Sequence, residues 1–515
     1  MAIMETTLIY SIGFGALFLL LILRLPIYHF TKAACPLILE LGDFPPIHAF
    51  VKFIHRLTSE HLIYPTILRR GKYIGRWSRS DTLLLLVYFA INISCILVPL
   101  PDIDQVCRRS GTLSVVNLLL VFAAPHLSFL ADLLGLSLHS CRRFHASAGS
   151  AAFLLAVCHA IFAAVAQKKL DLEKPRDLFA LIAIVSLCAQ LIPLALRQFN
   201  YEIALRTHQL LAFVFAYAIW RHIPPEGFFP RIYLYIGAGL FLVTCVTLSL
   251  LAFYRNNLGL SRARISYDLH TIKVRVHLRK PLKVEAGQYI NLWVPGASLW
   301  SFAQTHPFAV TSWSNEPQDH LDLFIEPGGG FTKDLFGLSD YGPTTSIVFF
   351  SGPHGKQLPI HEYENIVMMA TGFGIAAHLP YLRKLIHDHH SHKSPIRRIH
   401  LVWQMKQLDV GIAAEQLLNE ALAEDKLDGD YILRISLYSE SEDICETPFG
   451  SRATVYRGKI PLRTVFQTEI AEWRPKSRTV ISVSADGAFR DDMVALLREF
   501  PHSNINLAHT EYQPL

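Results

Sequence analysis

Four histidines stand where histidines are unexpected. The apolar stretch RFHASAGSAAFLLAVCHA carries His145 and His159, and RTHQLLAFVFAYAIWRHI carries His208 and His222, each pair fourteen residues apart. In an α-helix that spacing is about 1400° of rotation, within roughly 40° of four full turns, so both imidazoles of a pair leave one face about 21 Å apart in height. If the two helices run the same way, His145 matches His208 and His159 matches His222. Polar groups in apolar spans are costly and mark function. Two facing imidazole pairs form the arrangement that holds two haems, each iron ligated from both sides. Zinc does not suit, because ligands about 21 Å apart cannot share one ion. Iron held by two histidines keeps no open position, so it passes electrons rather than activating oxygen at the metal. His126, alone in its apolar run, reads as bonded to a backbone carbonyl.

Such an electron relay needs a two-electron donor split into single electrons, which flavin supplies after taking hydride from a nicotinamide. HPFAVTSWS, from His306 to Ser314, ends a strand and sets Thr311 and Ser312 beside Phe308 and Trp313. Those hydroxyls are expected at the edge of an isoalloxazine. GGGFTKDL, Gly328 to Leu335, is a glycine turn opening a helix, where backbone N–H groups favour a pyrophosphate and Lys333 adds charge. MMATGFGIAAHLPYL follows a strand and opens a helix, and Gly372 and Gly374 allow a dinucleotide phosphate to approach. SVSADGAFRDDM, Ser482 to Met493, ends a later strand on the nicotinamide side. Lys406 follows HLVWQM, where a cation could meet a 2′-phosphate, although a solvated lysine is the simpler reading.

The elements that position these residues follow from composition. The 515 residues are 51% hydrophobic and 17% charged, with mean hydropathy +0.30, which points to a membrane protein of two or three domains. The net charge of +6 is spread over many loops and suggests no nucleic-acid partner. The eight cysteines form no CxxC pair and read as small core residues. Apolar runs long enough to span recur at Thr6–Leu25, Asp81–Pro99, Leu113–Leu134, His145–Ala166, Leu178–Leu196, His208–His222 and Ile232–Tyr254. The first lacks a basic start and a small-residue cleavage site, so it reads as a retained anchor. Lys52, Arg56, Arg69, Arg70, Lys72, Arg76 and Arg79 make the first long loop basic and therefore cytosolic, with the N-terminus outside. Pro101–Gly111, Gln167–Asp177 and Ile223–Arg231 become outer loops, although Arg108, Arg109, Lys168 and Lys169 weaken the asymmetry. After Tyr254 short alternating strands predict an antiparallel β-barrel, and from Glu364 strands alternate with helices as in a parallel sheet.

In this order, the pieces GRWSRSD, RRSGTLSVVN, the two fourteen-residue histidine helices, HPFAVTSW and ATGFGIAAHLPYLRKL resemble the fungal ferric/cupric-chelate reductase family, relatives of the NADPH oxidases. The resemblance implies a multi-pass α-helical membrane haem domain of about seven spans over residues 1–254, including an extra N-terminal span. A cytosolic ferredoxin-reductase-like module would follow, with an antiparallel β-barrel FAD domain over 255–360 and an α/β NADPH domain over 361–515. It implies FAD, two haem b groups and NADPH as cofactors. His145, His159, His208 and His222 would be the haem ligands. His306, Pro307, Phe308, Ala309, Val310, Thr311, Gly330, Phe331 and Thr332 would meet FAD, and Thr371, Gly372, Phe373, Gly374, Ile375, Ala376 and Ser484 would meet NADPH. Three departures stand out. Ala377 or His378 replaces a proline after the glycine turn, Ser484-Ala485 replaces Cys-Gly, and the chain ends EYQPL, with Tyr512 aromatic but not terminal.

The resemblance implies a plasma-membrane enzyme that carries electrons from NADPH to extracellular Fe(III) or Cu(II) chelates or siderophores, in association with an iron or copper uptake permease. Its partners would be these chelates and the lipid bilayer. An NADPH oxidase making superoxide on the same electron path is the nearest alternative. A non-catalytic receptor or scaffold derived from a reductase is the other.

Overall fold

The computed structural model describes residues 2–34, 50, 53–54, 57–71, 75–122, 126–166, 170–225, 230–298, 301, 304–426, 431–441, 452–473, 477–500 and 505–513. Cys35, Lys52, Arg56, Lys72, Lys168, Lys169 and Cys445 lie outside the described residues. The chain divides into two compact units, Met1–Thr58 with Arg79–Ser249, and Ser59–Ser78 with Leu250–Leu515.

The first unit is helical: α1 (Ala2–Ala34), α2 (Arg79–Leu97), α3 (Ile103–Phe122), α4 (Leu127–Leu134), α5 (Leu138–Val165), α6 (Pro175–Ala189), α7 (Leu191–Leu196), α8 (Tyr201–His222) and α9 (Arg231–Arg255). Among the described residues six helices are long and apolar enough to cross a membrane, or seven if α3 and α4 form one bent span. Local chemistry sets their ends. The Ser137 hydroxyl and the Asn200 amide oxygen accept the N–H of Ser140 and Ile203 at the starts of α5 and α8, and Pro175 opens α6. Gly135, at φ 64°, closes α4. The unit is inverted relative to a water-soluble protein. Leu84, Leu210 and Leu242 are exposed, whereas Asn92, Arg109 and Asn117 are buried. Polar groups turned inward find partners there. Tyr10 of α1 donates to Asn117 Oδ1 (3.0 Å), Asn117 donates to Asn92 Oδ1 (2.8 Å), and Tyr233 donates to Ser11 (2.7 Å), so α1 is bonded into the bundle.

Two expectations change here. The apolar run Leu113–Leu134 is not one straight helix, because α3 and α4 meet at 94°. Hydropathy reports the length of an apolar run and not its direction. Pro101–Gly111 is not a loop: Asp102 Oδ1 accepts the Gln105 N–H (2.7 Å) and α3 starts at Ile103. Arg109 is therefore a helix residue, 1% exposed, whose Nη1 donates to the carbonyls of Ile96, Val98 and Pro99 (2.7, 3.3 and 3.0 Å).

The second unit holds two six-stranded sheets and a small hairpin of β1 (Thr66–Leu68) and β2 (Trp77–Ser78). The antiparallel sheet comprises β3 (Ser261–Asp268), β4 (Thr271–Leu282), β5 (Tyr289–Trp293), β6 (His306–Ala309), β7 (Gln318–Ile325) and β8 (Thr344–His354), ordered β6-β5-β8-β3-β4-β7. It is a half-barrel, the form that the expected antiparallel barrel takes. Its two edges are joined by one bridge, Val310 to Leu323, and by Thr311 N donating to Asp322 O (2.8 Å). Alternate strand residues, among them Ile265, Val274, Ile290, Leu292 and Leu321, fill its inside. Helix α10 (Phe331–Ser339) plugs one end through Phe331 and Leu335, both at most 1% exposed.

The parallel sheet comprises β9 (Asn365–Thr371), β10 (Arg398–Met405), β11 (Leu433–Ser439), β12 (Ala453–Arg457), β13 (Thr479–Ser484) and β14 (Ile505–His509), ordered β12-β11-β10-β9-β13-β14. Helices α11 (Ile375–His390), α12 (Leu408–Glu424), α13 (Leu462–Glu472) and α14 (Gly487–Arg498) follow β9, β10, β12 and β13. Strands of uniformly buried residues, such as VMMA of β9, are the mark of a sheet covered on both faces. The order reverses between β9 and β13, and such a switch point opens a crevice at the carboxyl ends of the strands.

Candidate functional site

The imidazole pairs come first. The His145 and His208 rings have their centres 6.4 Å apart at 66°, and His159 and His222 are 6.3 Å apart at 70°. An ion held by two imidazole nitrogens at about 2 Å each, with each ring centre roughly 1 Å behind its nitrogen, requires about 6 Å between centres. Both pairs have that separation. The pair His159 and His222 also has its tautomers set. His159 Nδ1 lies 2.7 Å from Cys107 O and His222 Nδ1 3.2 Å from Arg176 O. A carbonyl can only accept, so each Nδ1 carries the proton and each Nε2 keeps a lone pair for a metal, as imidazole ligands require.

The surroundings of these rings were not read from the sequence. Gly111 stands on α3 against His159, and a methyl group there would lie 2.8 Å from the ring. A glycine inside a helix was the available signal for such a close approach. The small residues of α5 divide in two. Ala148, Ala151 and Ala152 are 1% exposed and serve close helix packing, with Ser114 of α3 donating to Ala152 O (2.8 Å). Gly149, one turn from His145, would place a methyl group with nothing within 4 Å, so that part of the helix leaves room for a flat group. The six described cysteines form no disulfide.

In the second unit, His306 to Ala309 form β6 on the sheet edge. Phe308 is 3% exposed and points into the half-barrel, where Phe331 lies between it and His306. The Thr311 and Ser312 hydroxyls, expected at a ring edge, bond to the backbone of Asp322. Thr311 Oγ1 donates to Asp322 O (2.9 Å) and Ser312 Oγ accepts from Asp322 N (3.1 Å), so both hydroxyls tie the strand after β6 to β7. The glycine turn is closed by Thr332, whose hydroxyl accepts from Gly328 N (2.9 Å) and donates to Gly329 O (3.2 Å). Gly330, at φ 58°, then lets α10 begin, and no side chain caps its first N–H groups. Lys333 is exposed on α10.

The second turn sits at the switch point. Gly372 has φ +51° and faces open space, so a phosphate can approach its backbone. Gly374 has a different reason: a side chain there would collide with the Ser484 carbonyl, so it lets β9 and β13 close together. Trp403 Nε1 donates to Gly372 O (2.8 Å), and Thr371 Oγ1 accepts from Asp486 N (2.9 Å). Ile375 and Ala376 are fully buried, which leaves only their backbone for a ligand. Ser484 is 1% exposed and its hydroxyl has no protein partner. His378 is fully buried and holds Met369 O through Nε2 (3.2 Å), with burial pushing its pKa down to about 4. The proline of this helix is Pro380, two residues later. Lys406 is exposed just after β10.

These two half-sites are locked together. Phe373 packs on Phe324 of β7 (5.4 Å), and Leu358 N donates to Tyr381 Oη (2.8 Å). Gly287, at φ +89°, leaves room for that phenol, whose pKa burial pushes up to about 12. Tyr512 crosses between the sheets. Its carbonyl accepts from Ala309 N (3.0 Å) and its hydroxyl donates to Glu326 (2.6 Å). Ser59–Ser78 also belongs to this unit, with Arg70 Nε bonded to Asp491 of α14 (2.9 Å).

Three domain families match the chain. Residues 110–219 match the ferric reductase like transmembrane component, 259–357 an FAD-binding domain, and 363–485 the ferric reductase NAD binding domain. The probable cell surface ferric reductase kap2 of Aspergillus oryzae is 27% identical over 44% of this chain and 32% of its own length. From Saccharomyces cerevisiae, the ferric/cupric reductase transmembrane component 2 is 26% identical, and the ferric reductase transmembrane component 4 is 28% identical, each over 54% of this chain and 40% of its own length. The matches thus span only about a third to two fifths of these relatives.

Proposed function

We propose that this chain, which belongs to the ferric reductase family by its transmembrane, FAD-binding and NAD-binding domains, carries electrons from cytosolic NADPH across the plasma membrane to an extracellular Fe(III) or Cu(II) chelate. The half-barrel edge and the glycine turns would hold flavin and a nicotinamide dinucleotide, and the two imidazole pairs would hold haem iron; bound together, these groups would supply the conversion of a two-electron donor into single electrons. His145 and His208 hold the inner haem, His159 and His222 the outer. The observation that carries this reading is the equal separation of the two ring pairs, 6.4 and 6.3 Å. The backbone of His306–Thr311 and the Gly330–Thr332 turn hold the flavin, and Gly372 with the start of α11 binds the dinucleotide phosphates. Ser484 offers an unpaired hydroxyl beside the nicotinamide.

The orientation is supported by counting. Ser59–Ser78 and Leu250–Leu515 share one compact unit, so they lie on one side of a membrane. An even number of crossings must separate them. Five single spans stand between, which supports reading the bent pair α3–α4 as a sixth crossing. With α1 the reading gives seven crossings and an N-terminus outside. The basic residues Arg69, Arg70 and Arg76 put that unit in the cytosol.

Membranes containing the full chain test the activity. NADPH should reduce an impermeant Fe(III) chelate outside sealed vesicles, with superoxide dismutase leaving the rate unchanged. Loss of the rate on adding the dismutase would instead identify a superoxide-forming oxidase.

A further inference from the structure

The last turn of α9 is built into the second unit, which includes Leu250–Arg255. Asn256 is fully buried, and its side-chain amide donates to Ala252 O (2.8 Å) and to Phe350 O of β8 (2.7 Å). Phe253 packs on Phe349 (5.5 Å). Because α9 is long and apolar enough to cross a membrane, this turn sets where the bilayer surface meets the half-barrel. The side chains around it do not suit water. Phe253, Tyr254, Leu258 and Leu260 are between 49% and 82% exposed. Leu258 also holds φ 56°, which side chains rarely adopt, with its N–H donated to Phe253 O (2.8 Å).

Cations surround these apolar groups. Residues 255–283 hold eight lysines and arginines and one acidic residue, Asp268. Strand alternation sorts them: Ala263, Ile265, Val274 and Val276 fill the half-barrel, and Arg262, Arg264 and Arg279 are exposed outside it. Arg275 is neutralised by Asp322 (2.7 Å), whereas Arg262, Arg264 and Arg279 have no ion pair among the described residues. Arg262 stands opposite His277, so Arg279 lies further toward the end of α9, where its guanidinium rests against Gly259. Lys280 donates to the Tyr254 hydroxyl (3.0 Å) with its ammonium over that ring (4.5 Å). Asp268 is at the other end of β3.

We propose that this face docks on the anionic headgroups of the cytosolic leaflet, with Leu258 and Leu260 among the acyl chains and Arg262, Arg279 and Lys280 at the phosphates. The inference rests on the membrane reading of α9 given above. Two observations select lipid as the occupant: the face continues directly from a membrane span, and its unpaired cations complement a negatively charged leaflet. The left-handed Leu258, costly in water, gains an apolar environment there.

The test places the full chain in phosphatidylcholine vesicles carrying spin-labelled phosphatidylserine or spin-labelled phosphatidylcholine, and reads the fraction of label immobilised by electron paramagnetic resonance. Phosphatidylserine should be preferred, and added salt should weaken the preference. Arg262→Glu with Arg279→Glu should bring the two labels close to parity, and Arg262→Gln with Arg279→Gln should fall between. Lys426→Glu with Arg498→Glu, exposed cations elsewhere in the unit, should keep the preference. FAD content and flavin reduction by NADPH should be alike in all, which reports folding. Absence of the preference, or its equal retention or equal loss in the two charge-reversed pairs, would overturn the docking. A changed oligomeric size in Arg262→Glu with Arg279→Glu, with the preference intact, would give the face to a second copy of the chain. Both leaflets carry the same lipid, so the result does not depend on which side holds this unit. Flavin reduction without metal reduction would instead overturn the function proposed above.

Discussion

At the scale of single residues, position matters as much as identity. Gly111 touches His159, so Gly111→Ala should displace the ring and lower the haem content from two per chain toward one, measured as haem against FAD. A ratio unchanged by the substitution would show that the ring has room to move. Trp403→Phe keeps the buried ring but loses the bond to Gly372 O. It should raise KM for NADPH several-fold at near-constant kcat and cost about 1 kcal/mol of stability. His378 adds a pH dependence. Its folded pKa, about 4, lies below the unfolded value near 6.5, so the unfolded chain binds more protons between these limits. Stability is then complete above about pH 6.5 and falls as pH drops toward 4, by on the order of 3 kcal/mol at most. Thermal melting across this range should show a shallower acid limb for His378→Leu. The histidines were legible because types and spacing are printed in the sequence. The contacts that Cys107, Gly111 and Arg176 make with them were not, because these depend on which helices become neighbours.

At the scale of elements, periodicity was the strongest guide. The fourteen-residue spacing survives as a geometric fact because the helix has a fixed turn, and strand-then-helix alternation from Glu364 becomes the parallel sheet for the same reason. Apolar length misled where direction counted. The run ending in Leu134 bends by 94°, and α3 begins at Ile103 under the Asp102 cap, ten residues before the Leu113 at which the apolar run starts. The tail was read as a departure at its last residue, yet Tyr512 joins the two sheets through β6. The contact between α11 and the half-barrel gives a further expectation. Tyr381→Phe strands the Leu358 N–H, which should cost about 1–3 kcal/mol in chemical denaturation and slow flavin reduction by NADPH. Unchanged stability would mean that water replaces the phenol.

At the scale of the whole molecule, the helical unit carries the imidazole pairs and the second unit the nucleotide turns. The family and this division were legible from motif order. The closure of the half-barrel by a single bridge and the membership of Ser59–Ser78 in the second unit depend on long-range contacts that no local pattern encodes. The central claim is that four histidines hold two haems. It is tested most directly by the reduced-minus-oxidised spectrum of the purified chain, with haem measured against FAD. Expected are b-type haem bands at two haems per FAD, with His145→Ala and His159→Ala each removing one. A spectrum without haem bands, or variants that keep both haems, would contradict it.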